Sequence, residues 1–366
     1  MITKEKVLEA LGNVEEPDLK KDLVTLNMIK DITIEGKNVS FTVILTTPAC
    51  PLKELIRNAC INAIHYYLDK DVTVEVNMTS NVTSHRNKDQ SVLPGVRNII
   101  AVASGKGGVG KSTVAANLAI AMAMTGAKVG LIDADIYGPS QPIMFGVVNE
   151  KLFVTEEEGR QLMIPVEKFG VKLLSIGFLA DPSQAIVWRG PMASKALRQL
   201  FTDAKWGDLD YMFIDLPPGT GDIHLTLVSA VPVTGVVIVS TPQEVSLADA
   251  RKGIAMFKMD AIKVPVLGLV ENMAYFTPAE LPENKYYIFG KDGCKSLAES
   301  MNIPFLGQVP LIQSICEGGD NGIPVVTDES SLAGNAFLLI AGRMAQQIAI
   351  RNATETPTKP VVAAGF

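Results

Sequence analysis

Cysteine is scarce in this 366-residue chain, with four thiols (Cys50, Cys60, Cys294 and Cys316) spread along its length. Four scattered thiols do not make a disulfide scaffold, and a reducing, cytoplasmic setting is expected. Histidine is scarcer still, at three; lone His65 and His85 suggest no ligand set. No apolar run is long enough to span a bilayer. The opening residues, Met1-Ile2-Thr3-Lys4-Glu5, carry an acid and lead into no apolar segment, so neither a signal peptide nor a membrane partner is expected. Basic blocks are also lacking. With a formal net charge of −6, nucleic-acid binding is disfavoured as the main task. What remains is 47% hydrophobic and 20% charged residues, an ordinary globular composition with room for one to three domains.

Against that plain background one stretch stands out: Gly105, Lys106, Gly107, Gly108, Val109, Gly110, Lys111, Ser112 and Thr113. It follows the apolar run Val96 to Ala103 and opens a helix-like run from Lys111 to Met124. Strand, glycine-rich loop and helix in that order form the setting of a phosphate-binding P-loop. Its glycines let successive N–H groups face a phosphate, and the helix start adds partial positive charge. Lys111 would reach the β- and γ-phosphates of ATP, and Ser112 would offer its hydroxyl to Mg²⁺.

Ahead of this loop, residues 1–78 read as a small α+β domain. Lys4 to Leu11 suits a short helix, and Ile32 and Ile34 alternate with polar residues, as do Val39, Phe41, Val43 and Leu45. The turn Glu35-Gly36-Lys37-Asn38 between them makes a hairpin. A helix from Pro51 and a further strand through Val72, Val74 and Val76 complete the unit. Thr47-Pro48-Ala49-Cys50-Pro51 puts Cys50 at or just before a helix N-terminus, where a thiolate is stabilised. Cys60, in mid-helix, is expected to pack. Residues 79–94 are polar and aperiodic and read as a linker.

From residue 95 to about 350 the chain alternates apolar strand-like runs with helical segments. The runs are Ile99–Ala103, Val129–Ile132, Lys172–Ile176, Tyr211–Ile214, Val236–Val239, Val264–Val270 and Phe305–Val309. Near-continuous apolar strands imply a mainly parallel sheet covered by helices on both faces, with ligands at the strands' carboxyl ends. Asp133 and Asp135 follow one run and Asp215 another. Carboxylates there can join a Mg²⁺ shell, as Asp133 and Asp215 would, or orient an attacking water. Gly219 is placed to present its N–H to a γ-phosphate. The apolar helix Ala333 to Ile350, with Arg343 its only charge, is expected to pack in the core, and the tail 351–366 reads as disordered.

Lys106, a second lysine just after the first glycine, makes Lys106-Gly107-Gly108-Val109-Gly110-Lys111-Ser112 resemble the deviant Walker A loop of the family that includes nitrogenase iron protein and the Min and Par ATPases. That resemblance implies a homodimer in which Lys106 reaches the partner's nucleotide, much as an arginine finger does. Longer motifs resemble the Mrp/ApbC-type iron–sulfur cluster carrier ATPases: Asp133-Ala134-Asp135-Ile136-Tyr137-Gly138-Pro139-Ser140, Trp188-Arg189-Gly190-Pro191-Met192 and Asp215-Leu216-Pro217-Pro218-Gly219-Thr220-Gly221-Asp222. Ser240-Thr241-Pro242-Gln243, Glu271-Asn272-Met273 and Phe305-Leu306-Gly307-Gln308-Val309-Pro310 extend the match. The resemblance implies slow, Mg²⁺-dependent ATP hydrolysis, with Asp135 as the water-orienting carboxylate and Asn272 as an adenine contact. It also implies apo iron–sulfur client proteins or an assembly scaffold as partners. The first 78 residues resemble the MIP18-type domain of iron–sulfur assembly proteins through Asp18-Leu19, Asp22-Leu23-Val24, Leu26-Asn27-Met28 and Thr46-Thr47-Pro48-Ala49-Cys50-Pro51. This makes Cys50 the candidate cluster ligand; Asn27 stands where that family has glycine.

One departure bears on cargo. After Asn272-Met273 the carrier family has a Cys-x-x-Cys pair, whereas this chain runs Ala274 to Asn284 without a cysteine. The ATPase part therefore lacks the thiolates expected for a cluster, and Cys294 and Cys316 offer at most one ligand each. A cluster-free, ATP-dependent maturation chaperone and a nucleotide-switched positioning or partition ATPase stay open as alternatives.

Overall fold

Thr3 starts the first helix, α1 (Lys4–Leu11), by accepting a hydrogen bond from the Lys6 N–H at 3.4 Å, a side-chain cap for one of the helix's orphan donors. The computed structural model describes residues 2–86, 92–157, 159–178, 190–278, 280–281 and 283–360. Contacts divide the chain into a small unit, Met1–Thr83 with Ala345–Glu355, and a large one, Ser84–Met344 with Thr356–Phe366.

In the small unit the expected hairpin is present as β1 (Ile29–Glu35) and β2 (Asn38–Leu45), paired antiparallel. Gly36 at φ +65° makes the turn, a conformation that favours glycine. Helix α2 (Lys53–Tyr67) leads to β3 (Thr73–Ser80), which lies parallel to β2. One face of β2 (Val39, Phe41, Val43 and Leu45) is buried with Ile56, Cys60 and Ile64 of α2. Cys60 packs there as a small hydrophobe, and burial pushes its thiol up to about 12.

The large unit is built on an eight-stranded sheet. In chain order its elements are β4 (Val96–Ala103), α3 (Lys111–Met124), β5 (Val129–Asp133), α4 (Gln141–Met144), β6 (Val166–Lys168), β7 (Val171–Ser175), α5 (Gly190–Thr202), β8 (Leu209–Asp215), α6 (Asp222–Ala230), β9 (Gly235–Ser240), α7 (Glu244–Lys258), β10 (Val266–Glu271), α8 (Gly293–Ser300), β11 (Phe305–Gln308), α9 (Gln313–Asp320) and the part of α10 (Leu332–Thr354) up to Met344. The spatial order is β6-β7-β5-β8-β4-β9-β10-β11. All neighbours are parallel except the edge strand β6, which runs antiparallel to β7. That strand was not expected, and neither was the exposed hairpin Phe153–Glu157/Arg160–Ile164. Both are too short and too polar to stand out as apolar runs.

Alternation along the strands feeds two cores at once. Ile99, Ala101 and Ala103 of β4, with Met212 and Ile214 of β8, share a core with Ala193 and Leu197 of α5, Leu227 of α6, Ile254 of α7 and Leu297 of α8. Ile100 and Val102, with Tyr211 and Phe213, are equally buried but lie outside that cluster, pointing to the opposite face. Helix α3, whose Val114, Leu118 and Ile120 are fully buried, packs on β5 and β8.

Two expectations about connections change. Thr79 and Ser80 belong to β3. Within the expected linker, the Arg86 guanidinium donates to the carbonyls of Leu93 (3.0 Å), Val96 (2.6 Å) and Val92 (2.9 Å). In the tail, residues 351–354 continue α10 and Thr358 Oγ1 donates to the Val233 carbonyl at 2.7 Å, so this stretch is anchored. The C-terminal helix buries Phe337, Ile340 and Met344, as its apolar sequence requires. No helix among the described residues is long and apolar enough to cross a membrane.

Candidate active site

Sheet register assembles the site. Strands β5 and β8 are direct neighbours with Asp133 opposite Asp215, and β7 sets Ser175 opposite Asp133. Parallel neighbours are about 4.8 Å apart, so the register alone brings two carboxylates together at the strands' carboxyl edge. Asp215 is also level with Val102 of β4, and the glycine-rich loop leaves β4 just beyond. Because the chain runs from β4 out to β5 and β7 and returns through β8 to β9, the loop sits where the winding reverses, the usual crevice for ligands in such sheets.

The loop's shape depends on its glycines. Gly108 and Gly110 hold φ +78° and +79°, and Gly110 is the residue before α3. A Cβ on Gly105 would come within 2.2 Å of the Asp249 backbone, and one on Gly110 within 2.1 Å of the Asn272 amide. Asn272, buried at the end of β10, donates from Nδ2 to the Val109 carbonyl at 2.8 Å, clamping the loop from the far side. Its amide nitrogen is therefore committed to the protein.

Beneath the loop lies the charged cluster. Lys111, 6% exposed, donates from Nζ to Asp215 Oδ1 and to Ser112 Oγ (3.1 Å), and stands 3.9 Å from Asp135 Oδ2. Removing one partner from such a buried pair typically costs about 3–5 kcal/mol. Asp133 is fully buried and accepts from Ser175 Oγ (2.9 Å), the Gln141 backbone N–H (3.1 Å) and the Asp135 N–H (3.3 Å). Burial, followed by the neighbouring Asp215 charge, raises the Asp133 carboxyl well above the usual carboxylate range. Burial also raises Asp135, opposed by the Lys111 charge. Three carboxylates thus share one ammonium group, an arrangement with unspent affinity for a cation.

The donor set suits Mg²⁺ bound through a nucleotide. No group of three His, Cys, Asp or Glu side chains among the described residues forms a metal cage of its own. Mg²⁺ usually keeps several waters and takes one or two protein oxygens plus phosphates. The Ser112 hydroxyl and the Asp133–Asp215 pair supply oxygens of that kind.

Some expected residues sit differently. Lys106 is exposed, with no side-chain hydrogen bond or ion pair among the described residues. The Gly219 N–H, expected to face a γ-phosphate, donates instead to the Ser104 carbonyl at 2.9 Å, because the β8–α6 segment folds back beside the loop. Trp188 and Arg189 lie outside the described residues. Cys50 precedes α2 by three residues, and Leu52 stands at the cap position without a side-chain cap. The expectation of a stabilised thiolate is overturned. Burial raises the Cys50 thiol, the Leu52 N–H only partly opposes this, and the charges of Asp18 and Glu16 add to the rise. Cys294 is sealed in the core, its N–H held by Glu271 at 2.7 Å and its thiol raised by burial. Cys316 is exposed beside Asp320.

Two participants, Gln141 and Ser175, escaped the sequence reading, and Glu271 entered it only as part of a motif. Gln141 donates from Nε2 to Asp215 Oδ2 (2.8 Å) and to the Ser112 carbonyl (3.0 Å). Ser175 was visible only as the end of an apolar run. Glu271, fully buried, accepts from Gln308 (2.7 Å), which also donates to Asp292 (3.0 Å), bracing the strand that carries Asn272. An open pocket of about 350 Å³ adjoins the loop, lined by Gly110, Thr113, Asn272, Pro310, Leu311 and Cys316 among others. A larger recess of about 1160 Å³, in the small unit beside Lys6, Lys37 and Tyr67, includes none of the site residues.

Residues 95–345 match the family described as NUBPL iron-transfer P-loop NTPase. The chain belongs to this P-loop NTPase family. Residues 4–76 match the family described as iron–sulfur cluster assembly protein. The "Iron-sulfur cluster carrier protein" of Synechocystis sp. is 47% identical over 352 residues, covering 96% of this chain and 99% of its own. The Escherichia coli protein of the same name is 42% identical over 344 residues, covering 93% and 91%. Among solved structures, a nucleotide-binding protein from Archaeoglobus fulgidus in complex with ADP is 40% identical with a TM-score of 0.55, covering 63% of this chain and 88% of its own. The P-loop NTPase match takes in the whole charged cluster, and the assembly-family match takes in Cys50.

Proposed function

We propose that this protein is a Mg²⁺-dependent ATPase that carries iron–sulfur clusters to apoproteins in the cytoplasm and works as a homodimer. The observation that supports it most is the buried Lys111–Asp215 pair under the glycine loop, with Ser112 and Asp133 at hand, in a chain whose curated relatives carry clusters by name over nearly its full length.

The chain's own groups divide the work. Loop N–H groups from Gly107 to Thr113 bind the phosphates, and Lys111 exchanges Asp215 for the β- and γ-phosphate oxygens. Mg²⁺, held by the Ser112 hydroxyl and by Asp133 and Asp215 through its waters, would offset phosphate charge. Asp135, beside Lys111, orients the attacking water. Lys106, exposed and without a side-chain hydrogen bond or ion pair among the described residues, reaches the partner copy's phosphates. The adenine enters the pocket at Pro310 and Leu311, where Asn272 Oδ1 can accept from its amino group. Cys50 is the ligand for the cluster, its thiolate forming as iron displaces the proton.

A second reading, a cluster-free maturation chaperone, is favoured by one observation: Ala274 to Asn284 has no cysteine and Cys294 is sealed. The two readings part on anaerobic reconstitution with iron and sulfide. Retained iron and sulfide with a thiolate-to-iron absorption supports the carrier; a colourless protein that still hydrolyses ATP supports the chaperone.

A further inference from the structure

Gln141 stands at the first position of the short helix α4, following the Asp133–Ser140 motif, and is completely buried. Its side chain joins two parts of the site that have no covalent link. Nε2 donates to Asp215 Oδ2 at 2.8 Å and to the Ser112 carbonyl at 3.0 Å, while its backbone N–H donates to Asp133 Oδ2 at 3.1 Å. One residue therefore holds both strand-end carboxylates and the turn of the P-loop that carries the Ser112 hydroxyl. Both partners of the amide are acceptors, so the nitrogen must face them and the orientation of the amide is settled by chemistry. Its other atom, Oε1, is buried with no hydrogen-bond partner among the described residues. A buried carbonyl oxygen without a donor is costly. An amide oxygen left in this state can accept from a donor that a bound ligand brings in.

We propose that Gln141 is a positioning residue for the nucleotide-bound cation. It fixes Asp215 and Ser112 relative to each other so that both can serve one Mg²⁺, and Oε1 accepts from the cation's hydration shell. In the empty site Lys111 holds Asp215 Oδ1 while Gln141 holds Oδ2. When Lys111 turns to the phosphates, Gln141 keeps the carboxylate aimed. The role is one of geometry: Gln141 touches neither the phosphate nor the attacking water. This inference rests on the nucleotide-site reading above.

The test separates cation linkage from nucleotide binding. Binding of a fluorescent ADP analogue is measured for the wild type and for Gln141→Met, once in EDTA and once across a Mg²⁺ titration. Methionine keeps the length and volume of the side chain but removes both amide atoms. Affinity in EDTA should stay within about twofold of wild type, while the Mg²⁺ concentration at half effect should rise about tenfold, as the loss of one charge-assisted and one neutral hydrogen bond implies. Gln141→Asn, which keeps the amide but draws it back by one methylene, should shift the Mg²⁺ midpoint in the same direction by less. It also covers the case in which Gln141→Met fails to fold. An unchanged Mg²⁺ midpoint in a folded variant, or an equal loss of affinity with and without Mg²⁺, would overturn the positioning role. A wild type that binds the analogue under neither condition would instead overturn the nucleotide-site reading itself.

Discussion

The strand-end cluster and the Cys50 neighbourhood differ in how completely the chain builds them. At the strand ends each carboxylate and the lysine have partners in place: Lys111 with Asp215, Ser112 and Asp135, and Asp133 with Ser175 and Gln141, while the neutral Gln141 ties both strands to the loop. Around Cys50 there is one half-buried thiol, with Asp18 and Glu16 near enough to raise its pKa. Glu16 is occupied by the N–H groups of Asp18 (2.9 Å) and Leu19 (2.6 Å), and Asp18 by Gln346. On the proposed reading one copy of the chain lays out most of the phosphate site, which the nucleotide, Mg²⁺ and the partner's Lys106 would complete. A cluster held by one thiol per chain needs ligands from elsewhere, from a second copy or the client.

Several experiments would break or sharpen that contrast. The largest effect is expected from Lys111→Ala, which removes the phosphate lysine and leaves Asp215 buried without its cation. ATP turnover should fall below detection with nucleotide affinity reduced, and hydrolysis at the wild-type rate would remove the P-loop assignment. Lys106→Ala should lower turnover by about 10³-fold, the scale of an arginine finger, while binding of the ADP analogue stays within about threefold. Since the Lys106 side chain has no hydrogen bond or ion pair among the described residues, an equal loss of binding would contradict its action across a dimer. Cys50→Ser, reconstituted anaerobically, should lose more than half of the iron and of the thiolate-to-iron absorption, with ATP turnover unchanged. If iron content matched wild type, the small unit would lose its place as the cluster end.

The smallest effect concerns His224 on α6. Its ring is buried, neither nitrogen has a geometrically good hydrogen-bond partner among the described residues, and burial, only partly opposed by the Gly221 backbone and aided by the Lys111 charge, lowers its pKa to about 4. The folded state therefore prefers neutral His224, while the unfolded chain takes up its proton near 6.5. Stability from this residue is full above pH 6.5 and is lost as pH falls through 6.5 towards 4, by about 3 kcal/mol across that window. Urea unfolding from pH 7 to pH 4 should show a steeper loss for wild type than for His224→Leu. Parallel curves would mean that the ring finds a partner on protonation.

Much of the large unit was legible because a parallel sheet covered on both faces writes its strands as apolar runs. The strands Val129–Asp133, Leu209–Asp215 and Gly235–Ser240 fall where the runs lie. The carboxylates Asp133 and Asp215 were legible for the same reason: they are the first charged residues after such runs. Their adjacency was not, since it depends on which strands become neighbours, and β8 inserts between β4 and β5. Gln141 was missed because a buried amide has no sequence period; its value comes from two partners 29 and 74 residues away. The Cys50 expectation failed for a local reason: two residues, Pro51 and Leu52, separate the thiol from the helix start, and burial outweighs the single N–H that favours the thiolate.

Cluster transfer from the wild-type protein tests the account most directly. After anaerobic reconstitution and removal of free iron and sulfide, the protein is mixed with an apo iron–sulfur acceptor, and the acceptor's own activity is followed with and without Mg²⁺-ATP. The account predicts retained iron and sulfide, recovery of acceptor activity and a transfer rate that responds to ATP. A protein that retains no cluster, or whose cluster never reaches the acceptor under either condition, would contradict it.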